Sequence, residues 1–224
     1  MGDLGHSARR RRRAPALDKN QRRTLLLSCA IRVFARRGIG VARHAEIARE
    51  AKVSVPAVFF YFPTREALVN AVLDEVARFF TAMAENIHDR QRPAPEVILE
   101  HTRAFAEAVV THPDHTRVLL EWSTALRDEV WPQYLKFQEK IVAMIARTIK
   151  RWRMEIGSQR DPDAEDDARM IAATGYVLVQ MKIANQPAAR IERFLQTLVR
   201  DTLGEVRASA KNEAHLSEFN VAVG

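Results

Sequence analysis

The residues best equipped for chemistry lie between 43 and 65, where the chain reads RHAEIAREAKVSVPAVFFYFPTR. Arg43, His44, Lys52, Tyr61, Thr64 and Arg65 bring cations, an imidazole and hydroxyls, the groups that hold phosphate oxygens at the rim of a nucleic-acid site. Two short helices over 43–51 and 55–61, joined at Lys52, Val53 and Ser54, have the proportions of a helix-turn-helix. In such a unit the second helix presents its first turn to base edges in a major groove. Here that turn is Val55, Pro56 and Ala57, capped by the Ser54 hydroxyl, with Phe60 one turn further on. It brings no Arg, Asn or Gln to a base edge, so apolar contact with thymine methyls is what remains. Two short helices are equally an ordinary corner of a helical bundle, and geometry alone leaves both readings open.

Charge moves the balance. Residues 1–62 hold 14 Lys and Arg against 4 Asp and Glu, while the rest of the chain holds 21 against 24. The excess behind the net charge of +7 therefore sits at the N-terminal end and calls for a polyanionic partner, the alternative being a merely solvated basic end. Arg9, Arg10, Arg11, Arg12 and Arg13 form an unbroken run before Ala14-Pro15. Such a run either lies in a narrow, A·T-rich minor groove or anchors phosphate without reading sequence. No apolar face accompanies it, which argues against a membrane surface.

Other chemistries find little support. The seven histidines are scattered, and His112 and His115 around Asp114 form the one grouping that could touch a metal. Asp161, Asp163, Glu165, Asp166 and Asp167 lack the calcium-loop pattern and read as a solvated helix start. Phosphate loops, nucleophile elbows and dinucleotide fingerprints are absent, so no enzyme activity, cofactor or metal is expected. Cys29 is the sole cysteine, which forbids an intrachain disulfide and makes a reducing cytoplasm the expected compartment. No apolar run reaches the roughly 18 residues that cross a bilayer, and no hydrophobic stretch follows the basic N-terminus as in a secretory leader.

The elements that position these residues read as helices throughout. Only 8 Gly and 9 Pro interrupt a chain rich in Leu, Ala, Glu and Arg. Periodicity predicts an all-α fold of about nine helices, over 18–37, 43–51, 55–61, 65–87, 95–111, 114–126, 132–156, 164–185 and 188–209. Asp18 and Thr64 are the expected caps of the first and fourth, and Gly38 a left-handed stop to the first. In the second, Ala45, Ile47 and Ala48 are expected to point inward. The partition that follows is a disordered basic arm (1–17), a helix-turn-helix domain (18–65), a helical regulatory and dimerisation domain (66–210) and a flexible tail (211–224).

Phe34 with Gly38, Ile47-Ala48, Val53-Ser54, Tyr61-Phe62 and Arg65-Glu66 with Leu68, in this order and at these spacings, resemble the tetracycline-repressor (TetR) family. The resemblance implies an N-terminal DNA-binding domain, a larger helical domain and a homodimer built from the last two helices. Within that family, residues 34–40, 61–66, Glu121-Trp122-Ser123 and 127–132 are similar to the LuxR/HapR-type master regulators of quorum sensing. That likeness extends over most of the chain and implies a regulator that both represses and activates and uses a basic N-terminal arm. Helix 55–61 departs from it, with Phe60 where that group usually carries a polar residue and Pro56 where many TetR relatives carry Gly.

Two further surfaces are expected. Ile191, Phe194, Leu195, Leu198, Thr202 and Val206 make a continuous face, and Ala172, Ala173 and Gly175 allow close helix approach. Together they form either a four-helix dimer interface or ordinary intrachain core. A two-fold dimer would read a pseudo-palindromic double-stranded operator, its heads about 34–36 Å apart or somewhat further. Phe80, Thr81, Met83, Phe105, Trp122, Phe137, Ile141, Met144, Ile145 and Tyr176 either line a pocket for a small hydrophobic ligand or are plain core. The resemblance favours a pocket near Thr81, Trp122, Phe137 and Ile141. The rival to sequence-specific regulation is a non-specific architectural DNA-binding protein.

Overall fold

The computed structural model describes residues 18–88, 92–125, 129–158 and 164–203. The described residues are helical with no strand: α1 (Lys19–Arg37), α2 (His44–Ala51), α3 (Val55–Tyr61), α4 (Arg65–His88), α5 (Ala94–Thr111), α6 (Pro113–Thr124), α7 (Trp131–Glu155), α8 (Glu165–Ile183) and α9 (Ala188–Leu203). The expected bounds fall within a residue or two of these, and the expected end of the ninth helix at 209 lies outside the described residues. α8 stops at Ile183 because the chain turns at Asn185, which has φ 51°. The arm 1–17, the tail 211–224 and Val206 lie outside the described residues.

Local chemistry sets the ends of the first helices. Asp18 and Gln21 cap α1 reciprocally: Asp18 Oδ1 accepts from Gln21 N at 2.8 Å and Gln21 Oε1 from Asp18 N at 3.1 Å. Ser54 Oγ accepts from Ala57 N at 3.4 Å, and Thr64 Oγ1 from Ala67 N at 3.0 Å. Pro56 in the first turn of α3 removes no needed donor. Lys52 stands at φ 55°, ψ 45°, a left-handed turn residue that periodicity does not reveal. For a side chain with a Cβ this costs roughly 1 kcal/mol, and it is what reverses the chain tightly enough to set α3 across α2.

Gly38 differs from expectation. Its φ of 93° is positive, yet ψ is 155°, so the chain leaves α1 extended rather than in a left-handed helical turn. Only glycine takes that conformation readily, and a Cβ there would come within 2.9 Å of Glu121 Oε1.

One core runs through α1, α2, α3, the first half of α4 and α6, with Phe34, Ile47, Val58, Phe62, Leu68 and Trp122 essentially without solvent contact. The expected boundary at 65/66 cuts the first turn of α4, and that helix belongs to both halves. A second core joins the end of α4 to α5, α7, α8 and α9 around Ile98, Ile145, Ile149 and Ile171. Arg32 and Arg36 of α1 pair with Glu50 of α2 at 3.0 and 2.6 Å, and Arg37 with Glu46 at 2.6 Å. Beside Arg36 and Arg32, the Glu50 carboxyl sits below the usual carboxylate range. These three cations stitch α1 to α2 and are thereby removed from the positive charge open to a partner.

Where α4, α5 and α7 meet, a polar chain is buried. His88 Nδ1 lies 2.8 Å from Thr148 Oγ1, and His88 Nε2 lies 3.1 Å from His101 Nδ1. Burial pushes the His101 imidazole down to about 4. Burial, reinforced by His101, Arg147 and Arg151, pushes His88 down to about 3. Both rings are thus neutral at pH 7 in the folded protein, while in the unfolded chain they titrate near 6.5. Acidification therefore protonates the unfolded state first. The stability these rings contribute is whole above pH 6.5 and drains away as pH falls towards 4, at up to about 1.4 kcal/mol per pH unit for each ring. We expect the melting temperature to drop between pH 7 and pH 5, and His101→Phe to flatten that drop. A wild-type melting temperature constant over this range would contradict buried neutral rings.

Candidate nucleic-acid interface

α3 lies across the surface with Val58 and Phe62 anchored in the core and its other side open. Val55 is 37% exposed, Phe59 44% and Phe60 67%, and Ser54 and Pro56 are exposed beside them. Ala57 is half-buried. Water thus meets two phenylalanines on one short helix, an arrangement that isolated surface apolar residues do not require and an interaction site does.

The cations stand around this helix. Lys19 Nζ sits 5.6 Å above the Phe60 ring and Arg23 5.5 Å from the Phe62 ring, so the start of α1 borders α3. Arg43, Lys52, Thr64 and Arg65 are exposed, and Tyr61 is half-buried with its ring edge-on to Phe60 at 5.1 Å. Arg65 Nη2 donates to Ile39 O at 2.7 Å and Gly40 O at 2.8 Å, so this side chain holds the α1–α2 loop. The other face of the same loop is held from α6, where Glu121 Oε1 accepts from Ile39 N at 2.7 Å. Arg9 to Arg13 lie outside the described residues.

His44 corrects the expectation of a phosphate contact. It is 6% exposed, its Nε2 is 2.8 Å from Phe62 O, and its ring stacks on Phe59 at 4.1 Å with a 3° interplanar angle. The imidazole is an internal strut that fixes α3 against α2. Ala45, expected inward, is exposed, because in so short a helix His44, Ile47 and Ala48 fill the buried stripe. Phe59, Lys19 and Arg23 were not singled out from sequence. Phe59 was hidden by its place in an apolar run, and the two cations by their position on the preceding helix.

Between α4, α5, α6, α7 and α8 is a cavity of about 140 Å³. Phe80, Met83, Phe105, Phe137, Ile141 and Tyr176 line it, as expected from sequence, joined by His101, Thr102, Ser123, Tyr134 and Gln138. Thr81, Trp122, Met144 and Ile145 do not. Trp122 is fully buried beside it, stacked on Phe137 at 5.9 Å and donating from Nε1 to Val130 O at 2.9 Å. Ile145 is sealed core, Thr81 is buried elsewhere, and Met144 faces a separate cleft with Arg147 and Arg151. A helical stripe shows which side is inward but not which inward residues border a void.

Of the residues expected at a dimer interface, Ile191, Leu195 and Thr202 are buried, and Ala172, Gly175, Phe194 and Leu198 are half-buried. Ile191 and Leu195 pack with Ala106 and Leu178, and Phe194 lies against them. Leu198 joins the second core, and Thr202 is buried with its hydroxyl donating to Leu198 O at 2.7 Å. Gly175 makes room for Phe105, which a Cβ would approach to 3.1 Å, and Ala172 lines the cavity. α9 turns Ile191, Leu195, Val199 and Leu203 into its own subunit and leaves Phe194 and Leu198 half-buried. What stays open is on α8: Met170 (52% exposed), Tyr176 (55%), Val177 (38%) and Ile183 (71%), with Ala173 among them. His112 and His115 tilt against Phe79 and meet each other edge-on at 5.9 Å, and among the described residues no group of three His, Cys, Asp or Glu could hold a metal ion. No described helix is long and apolar enough to cross a membrane.

Residues 26–72 match the model of bacterial regulatory proteins of the tetR family. The chain is 40% identical over 147 residues to the HTH-type transcriptional regulator LuxR of Vibrio harveyi, covering 64% of this chain and 71% of that protein. A TetR-like transcriptional regulator from Rhodococcus sp. RHA1 superposes with a TM-score of 0.68 at 18% identity, over 85% of this chain and all of that one. The FadR regulator of Bacillus subtilis, solved in complex with stearoyl-CoA, gives 0.60 at 17% identity, over 81% and 97%. TetR-family regulators bind DNA operators and small molecules, usually as dimers. With an exposed apolar helix ringed by cations, a helix-turn-helix in the matched segment and a relative at 40% identity, this chain belongs to the TetR family and is a DNA-binding transcriptional regulator close to the LuxR/HapR group.

Proposed function

We propose that the chain acts in the cytoplasm as a homodimer that seats α3 of each subunit in successive major grooves of a pseudo-palindromic operator, and that an occupant of the cavity modulates this grip. The observation that carries the reading is the exposed apolar face of α3. Among the described residues outside its own helix, Phe60 at 67% exposure meets Lys19 above its ring and no aromatic partner. With Val55, Pro56, Ala57 and Phe60 as the reading surface, discrimination rests on thymine methyls and on duplex shape. Ser54, Arg43, Lys52, Tyr61, Thr64 and Arg65 hold the phosphates around it, and the amino end of α4 offers its dipole to one more.

The arm completes the contact. Arg13 lies five residues before Asp18, at most about 18 Å away at about 3.5 Å per residue. Since Lys19 borders Phe60, Arg9–Arg13 would reach the minor groove next to the major groove that α3 enters. The dimer forms through the open α8 stripe of Met170, Ala173 and Val177, with Tyr176 and Ile183 at its margins, while the buried residues of α9 brace it from behind.

The link from cavity to DNA runs along α6. Leu119, Leu120 and Ser123 line the cavity, and Glu121 of the same helix holds Ile39 N. The stearoyl-CoA seen with FadR is far larger than a 140 Å³ space, so the occupant here is a smaller molecule.

Selection from random duplex DNA tests the reading as a whole. A recovered consensus of two inverted half-sites supports it, and one affinity for every sequence would favour an architectural binder. Phe60→Ala should reduce preference for the recovered operator over random DNA, by less than the roughly 1–3 kcal/mol of a bidentate side-chain–base pair, while leaving non-specific affinity intact. Equal loss on both DNAs would remove α3 from recognition. Deleting residues 1–13 should lower the slope of log affinity against log salt by up to about 4.5, near 0.9 for each arginine lost; an unaltered slope means that the arm does not touch the duplex. Val177→Arg should yield folded monomers in sedimentation, and a persisting dimer would place the interface elsewhere.

A further inference from the structure

Behind His101, which lines the cavity, a buried hydrogen-bonded chain runs through His88 to Thr148. Thr148 Oγ1 has a single proton, and it lies 3.3 Å from Met144 O, to which it donates. Towards His88 Nδ1, 2.8 Å away, we assign the hydroxyl as acceptor, the arrangement in which both of its contacts are hydrogen bonds, and this assignment puts the His88 proton on Nδ1. His88 is neutral, so its Nε2 is a bare lone pair and must accept from His101 Nδ1 at 3.1 Å. His101 is neutral as well, with its proton thereby fixed on Nδ1. Its Nε2 is left as an acceptor, has no hydrogen-bond partner among the described residues, and belongs to a ring that lines the cavity.

We propose that the cavity binds a small neutral molecule of one aromatic ring carrying a hydrogen-bond donor, a phenol or an N–H heteroaromatic, whose O–H or N–H is received by His101 Nε2. This rests on the reading of the cavity as an effector site. A single ring suits the size, because about 140 Å³ is comparable to voids that accept one benzene. The wall around it is apolar and aromatic, with Phe80, Phe105 and Phe137.

Of the other wall hydroxyls, Tyr134 is engaged with Ser123, and Tyr176 stands 55% exposed, where water competes for it. Thr102 Oγ1 donates to Ile98 O at 3.0 Å and Ser123 Oγ to Leu120 O at 2.7 Å. Gln138 is half-exposed, where water competes for its amide. No Lys or Arg lines the cavity, so a carboxylate would enter without a counter-ion. A carbonyl or ether oxygen would meet His101 lone pair to lone pair. An alcohol or N–H donor is the group that this wall accepts without disturbing the chain behind it.

Calorimetric titration of the purified full chain with phenol, toluene, anisole and benzoate tests the assignment. Wild-type protein should bind both phenol and toluene, with benzoate much weaker. In His101→Phe the ratio of the toluene to the phenol dissociation constant should fall about three- to tenfold, the worth of one hydrogen bond, with toluene still bound. If phenol and toluene both fail to bind the wild type, the effector-site reading itself falls. An unchanged ratio in the variant, or anisole or benzoate bound as tightly as phenol, overturns the donor assignment alone. Nitrogen-15 spectra of the histidine-labelled wild type check the tautomer without any substitution. They should find the His101 proton on Nδ1, and a proton on Nε2 in the free protein refutes the proposal.

Discussion

Ile39 gives its backbone N–H to Glu121 of α6 at 2.7 Å and its carbonyl to Arg65 of α4 at 2.7 Å, and Gly40 adds a second carbonyl to the same guanidinium. The loop after α1 is thereby gripped from both sides by the two helices that lead into the larger part of the molecule. The grip demands that the carboxylate stand against the backbone at Gly38, where a Cβ would come within 2.9 Å of it and where φ is 93°. Glycine satisfies both conditions at once. Release of either side would leave α1–α3 attached mainly through apolar packing, which is non-directional and would not by itself fix the angle of α3.

That angle is also fixed from within the helix-turn-helix. His44 bonds to Phe62 O, where α3 ends, and stacks on Phe59 in its middle, while Lys52 in a left-handed conformation turns the chain between α2 and α3. The consequence is an apolar helix held rigidly at the surface, with Phe59 and Phe60 denied a place in the core. A fold that maximised its own burial would have turned these rings inward. Exposure of this kind is retained at sites that meet a partner.

The sequence made the helical plan legible because apolar spacing, caps and breakers act locally: Leu26 to Phe34 lie on one stripe, and Asp18, Ser54 and Thr64 cap as their hydroxyls and carboxylate dictate. The recognition helix was legible for the same reason. What escaped depends on which helices pack against each other. His44 reads as a surface cation until α3 is laid over it. Ile191 and Leu195 make an apolar face whether they meet α5 of the same chain or a second copy, and periodicity does not distinguish the two. His88 and His101 lie on different helices, so no local spacing announces that they touch. Glu121 and Ile39, 82 residues apart, are linked by tertiary structure alone.

A molecule in the cavity can bias DNA binding only by having different affinities for two arrangements of the protein. The elements that could differ are identifiable. The cavity is walled by Phe80 and Met83 of α4 and by Leu119, Leu120 and Ser123 of α6, and these are the two helices that hold the Ile39 loop. Closely packed interiors transmit small displacements because they have no slack to absorb them. A ring that parts α4 from α6 therefore pulls on Arg65 and Glu121 in opposite senses, and the loop between them must follow one or the other. In the proposed two-fold dimer the same displacement would act on both heads, so that a small change at each cavity would alter the spacing between two α3 helices. The coupling then needs no movement within the helix-turn-helix itself, whose internal strut at His44 keeps it a rigid unit.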